Sequence, residues 1–598
     1  MTAPLIADLF LLAISAIGRA EIHDGTLGTN SIIPVDIMIF FLTLAYIAIS
    51  IDASGVIRWL AYRVLIWGDG IGDRLFFYLY AFFFGLGTFI GNDPIILSGT
   101  AFLAYMTRVA DNIEHPRAWI HTQFTIANIA SAILVSSNPT NLVLAGAFKI
   151  PFVDYTLNMV VPVIATAIVV FPFLLYVIFA DPGLIPIKIT MHKLPDELKE
   201  KKAINPNIPN ARGVEDGNDE SEKLRSLEEI MNPFLDTGGA VFGAIVMATT
   251  LITVLGLNAA AQKIGEKPVY YVTLPAAGIM LIWDLIFGWI HRRETRIISR
   301  EGRREIDQAN LARKRMDMAR PSLPERNTDT IELSQTQSKG DYLAETTIQS
   351  LTPSTPENGQ HTTTQLDAES GLDALLLKEP RSLVSMIEDA YLWCRETFPA
   401  VTAIFSHLPF ALVPFALCMF ILVEALVTKG WVQLFAIGWD HWVEKTGTVG
   451  AVGGMGFLSV IFCNASIHYH MVWFLEANGK SQFAGTNIGT TILLSRVIQA
   501  WLRIHLHDDN GPSVRDFWAT VYAMALGVNF GAFSTAFSAS LAGLLWRDIL
   551  GRKHIPVRRG EFARVNLPII AVAMVVGSTV LIGEVYIFRS GTTKYSAT

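Results

Sequence analysis

The sequence is poor in residues that form covalent cross-links, metal centres or catalytic motifs. Its three cysteines, Cys394, Cys418 and Cys463, stand far apart and include no CxxC pair. This spacing excludes a disulfide framework and a structural zinc site. A nucleophile elbow, a Walker loop, an HExxH motif and paired catalytic carboxylates are also missing. We therefore expect no enzyme, no built-in ATPase, no cofactor and no structural metal.

Charged residues are scarce as well. They make up 17% of the 598 residues, and the net charge of −7 argues against a nucleic-acid partner. Hydrophobic residues make up 51%, and the mean hydropathy is +0.40. Many apolar stretches are long enough to cross a bilayer. The sequence predicts an all-α, multi-pass membrane protein in contact with lipid, with about 10 to 13 membrane segments.

Shifts in composition divide the chain into six parts. We predict an N-terminal segment at 1–31, a first repeat at 32–180, a loop at 181–235, a linking helical hairpin at 236–290, a basic and then disordered linker at 291–395, and a second repeat at 405–588. The apolar stretch at 4–17 lacks a basic n-region and contains Asp8. It therefore favours a retained helix or re-entrant segment over a signal peptide.

The distribution of basic residues predicts which side of the membrane the loops occupy. Residues 291–320 carry ten Lys or Arg against five Asp or Glu beside a helix end. By the positive-inside rule this side is cytoplasmic. Because the hairpin at 236–290 returns the chain to the same side, the loop at 181–235 is predicted to be cytoplasmic too. The identity of the membrane stays open.

Two apolar runs of the first half are interrupted at what should be membrane depth. The first contains Gly91, Asn92, Asp93 and Pro94, and the second contains the polar stretch at 136–141. Broken backbone at this depth is tolerated only where protein buries it or where it lines an aqueous cavity. Secondary transporters build their midplane sites in this way, so a solute site is expected here.

The second half repeats this organisation. An alignment without gaps pairs Pro34 with Pro409 and Gly55 with Gly430. The first half continues to GNDPIIL and SSNPTNLVLAG, and the second continues to GTNIGTTILL and GVNFGAFSTAFSASLAGLLW. Broken segments at corresponding places in two halves are typical of a transporter built from repeats.

The candidate ligands are the polar residues at the breaks. The predicted substrate-binding and ion-binding residues are Asn92, Asp93, Ser137, Asn138, Thr140, Asn141, Asn487, Thr490, Asn529, Thr535 and Ser538. Their amides and hydroxyls can coordinate a cation or donate to an anion. The alternative role for these uncharged residues is helix capping and hydrogen bonding between helices.

Asp93 is the one acid among these candidates. An acid in an apolar run is expected to bind a coupling ion, Na⁺ or a proton. Alternatively, Asp93 caps the half-helix after the break, with Pro94 at its first position.

Two further ionisable residues lie in apolar surroundings. For Glu424 we favour a position reaching toward the interface over a proton relay, and for Arg496 an anion ligand and an interfacial position are equally supported.

The broken segments carry a family resemblance. GNDPIILSGTAFLAYM, ANIASAILVSSNPTNLVLAGAF and GVNFGAFSTAFSASLAGLLWRDIL resemble the ion transporter superfamily, in particular arsenite permeases and NhaD-type sodium/proton antiporters, with a citrate transporter-like domain. The resemblance implies two inverted repeats, each with a re-entrant hairpin and a broken helix around a midplane site, and assembly as a homodimer. It assigns Asn92, Asp93, Ser137, Asn138 and Thr140 to the first-half site, and Asn529, Thr535 and Ser538 to that of the second half.

One segment departs from the repeat pattern. Residues 465–484 interrupt a compact junction between FCN and GTNIG. The residues leave open whether this stretch is a genuine insertion or a retained intron.

Several functional readings follow from these patterns. The leading one is a secondary active transporter of a small anion, an inorganic oxyanion, an arsenite-like species or a carboxylate, coupled to an ion and working by alternating access. The alternatives are a sodium/proton antiporter, a channel, and a non-transporting receptor or scaffold that uses the linker. A monovalent cation is therefore the other small partner to consider.

Overall fold

Helices form the regular structure of the described chain. The computed structural model describes residues 3–29, 32–190, 203–211, 227–264, 268–319, 383–464, 486–505 and 511–595. Within these ranges the only extended pairings are isolated bridges, such as that between Ile71 and Lys188. The all-α prediction is confirmed. The segment at 465–484 and the Ser/Thr-rich part of the linker lie outside the described residues.

The first half contains nine helices among these ranges. They are α1 (Ala3–Ala13), α2 (Arg19–Leu27), α3 (Pro34–Ala53), α4 (Val56–Trp67), α5 (Gly72–Ile90), α6 (Asn92–Val109), α7 (Arg117–Ala130), α8 (Pro139–Ala147) and α9 (Phe152–Phe173). A three-residue 3₁₀ turn, Val135–Ser137, separates α7 from α8, and a π turn, Leu174–Ile178, extends α9. Helix α9 and its π extension therefore run without interruption from Phe152 to Ile178.

The second half and the connection to it contain further helices in the described ranges, besides a short turn of helix at 227–231. They are α10 (Thr237–Ile264), α11 (Tyr270–Ala319), α12 (Leu383–Thr397), α13 (Pro399–His407), α14 (Leu412–Thr428), α15 (Trp431–Asn464), α16 (Asn487–Ile504), α17 (Val514–Gly531), α18 (Leu541–Arg552) and α19 (Arg559–Phe588). By its contacts the chain forms two units, Met1–Gly302 with Arg395–Thr598 and, separately, Arg303–Cys394. All of the features below belong to the first unit.

Two paired glycines mark the repeat in the backbone. Gly55 follows α3 with φ +84°, and Gly430 follows α14 with φ +80°. Side chains other than glycine rarely adopt this left-handed region, so each glycine allows the chain to turn sharply into the next helix. The break in α15, at Gly447 with φ +64°, falls close to the place where the first half turns through Gly70 with φ +70°. The helix α15 thus corresponds to α4 and α5 together.

The broken segments also recur in matching order. Asn92 and Asn487 each begin a helix of 18 residues, α6 and α16. In both halves the next helix, α7 or α17, ends in a loop with a three-residue 3₁₀ turn, followed by a short helix whose first position is preceded by a polar cap. The similarity between the halves is therefore a similarity of folded structure as well as of sequence.

Eight helices among the described residues are long and apolar enough to cross a bilayer. They include α3, α5, α10 and α19. The helices α6, α7, α8 and α18 are not among these eight. The protein is an integral membrane protein with several passes. The face buried within the protein is smallest in the hairpin formed by α10 and α11, where 28% of each spanning window is buried. The exposed side chains of these windows include large apolar residues such as Ile245 and Ile282, which suit contact with lipid.

A buried acid attaches this hairpin to the first repeat. Asp284 on α11 accepts hydrogen bonds from Tyr46 (2.9 Å) and from Ser50 (2.9 and 3.1 Å) on α3. The hydroxyls of Thr43 and Thr273 join the same two helices at 2.7 Å. Because a lipid-facing helix gains little from apolar contact alone, such hydrogen bonds fix which face of α11 meets α3.

A buried ion pair in the second repeat also contacts the N-terminal segment. Arg496 on α16 donates to Glu424 on α14 at 3.2 Å, and the two side chains are only 6% and 8% exposed. The same guanidinium donates to the hydroxyl of Thr29 at 2.6 Å and to its carbonyl at 3.1 Å. The predicted interfacial position for Glu424 is therefore wrong, and Arg496 is neutralised within the protein instead of standing free for an anion.

This pair predicts a strong dependence of stability on both partners. Arg496→Met leaves Glu424 buried without a countercharge and should lower the free energy of unfolding by about 3 to 5 kcal/mol. Adding Glu424→Met should restore most of the loss, since no charge is then buried. The measurement is denaturant unfolding in detergent. The exposed pair Arg552 and Asp548 provides the control, and Arg552→Met should change stability by less than about 1 kcal/mol. An Arg496→Met protein as stable as the wild type would contradict this account.

Candidate functional site

The two breaks of the first repeat lie against each other. Gly91, with φ +95°, ends α5 and precedes α6 directly. A β-carbon placed on Gly91 would lie 2.9 Å from the carbonyl oxygen of Ser137, in the 3₁₀ turn before α8. Glycine is required here both for the conformation and for this close approach. The breaks that are distant in sequence therefore form one site.

Asn138 organises the start of α8. Its Oδ1 accepts a hydrogen bond from the backbone N–H of Thr140 (3.1 Å) and from the Thr140 hydroxyl (2.9 Å), so it is the N-cap of this helix. Its Nδ2 donates to Oδ1 of Asn529 on α17 at 3.1 Å. One side chain thus caps a helix of the first repeat and contacts the second repeat.

Asn529 completes a connection between the repeats. Its Nδ2 donates to Oδ1 of Asn141 at 2.7 Å and to the carbonyl of Ala525 at 2.8 Å. We call Asn138, Asn141 and Asn529 the asparagine cluster. Each is at most 4% exposed. The sequence-based expectation that polar residues of the two halves lie close together is met by direct contact at these residues.

Asn92 joins this region through a residue that the sequence reasoning missed. Its Nδ2 donates to Oδ1 of Asn128 on α7 at 3.2 Å, and Asn128 in turn donates to the carbonyl of Phe124 at 2.8 Å. Asn128 lies two residues before the end of α7, as Asn529 lies two residues before the end of α17. Alignment of the two helix ends, rather than of the GN motifs, would have identified Asn128 as the counterpart of Asn529.

Asp93 is set apart from the other polar residues by its surroundings. Gly91 is the N-cap of α6, Asn92 its first residue and Asp93 its second, and the cap makes no side-chain hydrogen bond. The predicted capping role for Asp93, with Pro94 at the first position, is therefore wrong. Asp93 is partly exposed, whereas Asn92 and Pro94 beside it are buried. In the described part of the chain, no hydrogen bond or ion pair involves its carboxylate.

Ser137 and Asn141 stabilise the broken backbone. The Ser137 hydroxyl donates to the carbonyls of Ser131 (2.6 Å) and Leu134 (2.8 Å). The Asn141 amide donates to the same two carbonyls, at 2.8 and 2.9 Å. Both carbonyls follow the end of α7, where they have no partner within a helix. These two side chains therefore provide partners for the Ser131 carbonyl and add to the bond that the Leu134 carbonyl already accepts from the N–H of Ser137 at 3.3 Å.

In the second repeat, different residues form hydrogen bonds with the backbone groups at the break. Asn464, the last residue of α15, accepts from the backbone N–H and hydroxyl of Thr535 (3.2 and 3.1 Å) and from the N–H of Ala536 (3.1 Å). The cap of α18 is Ser540, whose hydroxyl accepts from Gly543 at 3.0 Å. The predicted Ser538 lies in the 3₁₀ turn before this cap, is partly exposed, and makes no side-chain hydrogen bond among the described residues.

Asn487 and Thr490 lie on the adjacent helix α16. Oδ1 of Asn487 accepts from the N–H of Ile488 within its own turn at 2.9 Å, and Thr486 caps the helix. Both Asn487 and Thr490 are buried, and α16 packs against α8 and α17. Asn487 and Thr490 therefore lie in the same group of packed helices as the asparagine cluster. Among the described residues, no side-chain hydrogen bond joins either of them to the cluster.

The arrangement can bind a small ion in two ways. Helix N-termini carry partial positive charge, and α6 begins at the break without a side-chain cap, so its first N–H groups favour an anion. Amide and hydroxyl oxygens around the cluster, with the carboxylate of Asp93, favour a cation. No group of three or more His, Cys, Asp or Glu able to hold a metal ion is present in the described ranges.

Comparisons with known proteins agree with this architecture. Residues 1–472 match the family of citrate transporters. An arsenical pump membrane protein of Escherichia coli is 29% identical over 140 residues, which cover 23% of this chain and 32% of that protein. That of strain K12 is 27% identical over 168 residues, or 28% and 39% of the two chains, and that of Yersinia enterocolitica is 28% identical over 135 residues, or 21% and 30%.

The curated relatives are matched over only part of their length, about a third in each case. The family match is broader, since it extends over more than three quarters of this chain, from the N-terminal segment through α15. It also agrees with the resemblance found in the broken segments. The chain belongs to the citrate transporter family.

Proposed function

We propose that this protein is a secondary active transporter that moves a small anion by alternating access, coupled to a cation. The observation that carries the proposal is the asparagine cluster, at which broken helices from the two repeats meet through buried amides. A solute held between two repeats can be exposed to either side when one set of helices moves against the rest. Membership of the citrate transporter family supports the same class of function.

Uncharged hydrogen-bonding groups favour an anion as the solute. The polar residues at the breaks are almost all amides and hydroxyls, and the uncapped N-terminus of α6 adds backbone donors. A carboxylate such as citrate or an inorganic species such as arsenite suits these donors, and the family and the named relatives make both the first solutes to test. The carboxylate of Asp93, which has no hydrogen-bond or ionic partner among the described residues, supports a role as ligand of the coupling cation.

One observation favours a second candidate, sodium/proton antiport. Asp93 is partly exposed at the break and lacks a countercharge among the described residues, as expected of a residue that binds Na⁺ and protons in turn. The two functions differ in what crosses the membrane. An antiporter would exchange ²²Na⁺ for protons in vesicles that contain no citrate or arsenite, whereas an anion carrier would need the anion.

The asparagine cluster can be tested by one substitution. Asn529→Ala removes the amide that joins Asn138 and Asn141, and leaves buried polar groups unpaired. We expect uptake of radiolabelled citrate or arsenite into proteoliposomes to fall by about 10 to 100-fold. Asn112→Ala, in a surface loop, is the control and should leave uptake unchanged. Full uptake by a folded Asn529→Ala protein would contradict the proposal.

Asp93 generates a separate prediction. Asp93→Asn keeps the size of the side chain and removes its charge, so a coupling cation loses its carboxylate ligand. We expect the variant to lose the stimulation of uptake that a sodium or pH gradient gives to the wild type. The measurement is initial uptake with and without each gradient. Unchanged stimulation would remove Asp93 from the coupling mechanism and leave the asparagine cluster untouched.

A further inference from the structure

A second acid contacts the helix that begins at the first break. Asp52, the penultimate residue of α3, is 4% exposed and accepts a hydrogen bond from the hydroxyl of Ser98 on α6. Ser98 lies six residues after Asn92, about 9 Å along the same helix. Asp52 on α3 therefore contacts α6, the helix whose N-terminus lies at the candidate site. The same α3 also contacts the linking hairpin through Tyr46 and Ser50.

The second repeat also has an acid at the contact between the helices that correspond to α3 and α6, and this acid has a different partner. Glu424 on α14 contacts Arg496 on α16, the helix that corresponds to α6. Its charge is therefore neutralised by a guanidinium at 3.2 Å. Asp52 has a neutral hydroxyl in that role. Among the described residues, Asp52 has no ionic partner, whereas Glu424 has one. Asp52 can therefore change its charge without leaving a cation buried alone.

The contacts of Asp52 favour a proton over a metal ion as its ligand. A hard cation requires several oxygen ligands at once. The side-chain hydrogen bonds in the described residues give Asp52 a single oxygen partner, Ser98. A proton needs only the carboxylate itself. The neutral acid also suits a site of such low exposure better than an unpaired carboxylate does.

The surrounding charges lie at the end of α3. Arg58 on α4 and His407 on α13 are the cationic or titratable groups that act on Asp52, and Arg58 is already paired with Glu229 at 3.4 Å. The acids nearby are Asp284, hydrogen-bonded to α3, and Asp236, whose N–H donates to the Ser54 carbonyl. None of these groups makes a hydrogen bond or ion pair with the carboxylate of Asp52 among the described residues.

A described stretch of the loop at 181–235 contacts the backbone next to Asp52. Asn207, in the stretch 203–211, donates to the carbonyl of Ala53 at 2.9 Å, directly after Asp52. This stretch belongs to the loop at 181–235, which the sequence predicts to be cytoplasmic. We therefore expect a proton to reach Asp52 from this end of α3.

We propose that Asp52 is a proton-carrying residue of the transporter; this inference rests on the proposed function and adds a proton site on α3 to the cation ligand proposed at Asp93. The carboxylate takes up one proton from water on the side where α3 ends and becomes a neutral acid. The hydrogen bond from Ser98 is strongest to the charged form, so protonation weakens the contact between α3 and α6. The helix α6 then moves with the solute site, and the proton leaves to water on the other side.

The test separates solute movement from proton coupling. Wild type, Asp52→Asn and Asp284→Asn are reconstituted, and two rates are measured for radiolabelled citrate and arsenite. One is exchange of labelled against unlabelled solute without a gradient, and the other is accumulation driven by an imposed pH gradient. Asp284→Asn is the matched control, since it makes the same change in an acid that accepts hydrogen bonds from α3 and, among the described residues, from no side chain of α6.

We expect Asp52→Asn to keep exchange near the wild-type rate and to lose about tenfold or more of the accumulation driven by the pH gradient. Asp284→Asn should retain both. Asp52→Glu, which keeps the acid, should recover part of the accumulation and shows whether a loss in Asp52→Asn reflects charge or folding.

Two results would overturn the assignment of Asp52 and leave the proposed function standing. One is exchange by the wild type with no response to a pH gradient, and the other is accumulation by Asp52→Asn equal to that of the wild type. Absence of both exchange and accumulation in the wild type for citrate and arsenite would instead count against the proposed anion carrier, and with it against this inference.

Discussion

The structure depends on one constraint, which is that backbone groups freed by a broken helix inside the membrane must find partners within the protein. Ser137 and Asn141 meet it after α7 by donating to the same two carbonyls, and Asn464 meets it after α17 by accepting from Thr535 and Ala536. Unpaired groups in hydrocarbon would cost several kcal/mol each. Much of the polar character at the breaks therefore maintains the fold, and only part of it is free to bind a solute.

The two repeats are related in order but unequal in chemistry. The first provides the amide-rich side, with Asn138 and Asn141 meeting Asn529 from the second. The first also leaves Asp52 and Asp93 without ionic partners among the described residues, whereas the second neutralises Glu424 with Arg496. This asymmetry is consistent with the coupled transport that we propose, in which a cation and a solute are recognised by different helices.

Much of this arrangement could be predicted from the sequence. The apolar runs predicted the all-α membrane fold, and the GN and SNPTN breaks predicted where α6 and α8 begin. Contacts between helices distant in sequence could not be predicted, because apolar residues do not specify their neighbours. The roles of Asn128 and Asn464, the pairing of Glu424 with Arg496, and the cap at Ser540 in place of Ser538 all depend on such contacts. The inverted orientation of the repeats, the cytoplasmic loops and the homodimer stay predictions.

The central claim, that a solute rests between the two repeats at the broken helices, is tested most directly by thiol accessibility at Ser137. In a variant with Cys394, Cys418 and Cys463 replaced by serine, Ser137→Cys exchanges one small buried group for another. We expect a small thiol reagent to label this cysteine, and saturating citrate or arsenite to slow the labelling while leaving a cysteine at the exposed Ser406 unaffected. Labelling at the same rate with and without every transported solute would contradict the claim.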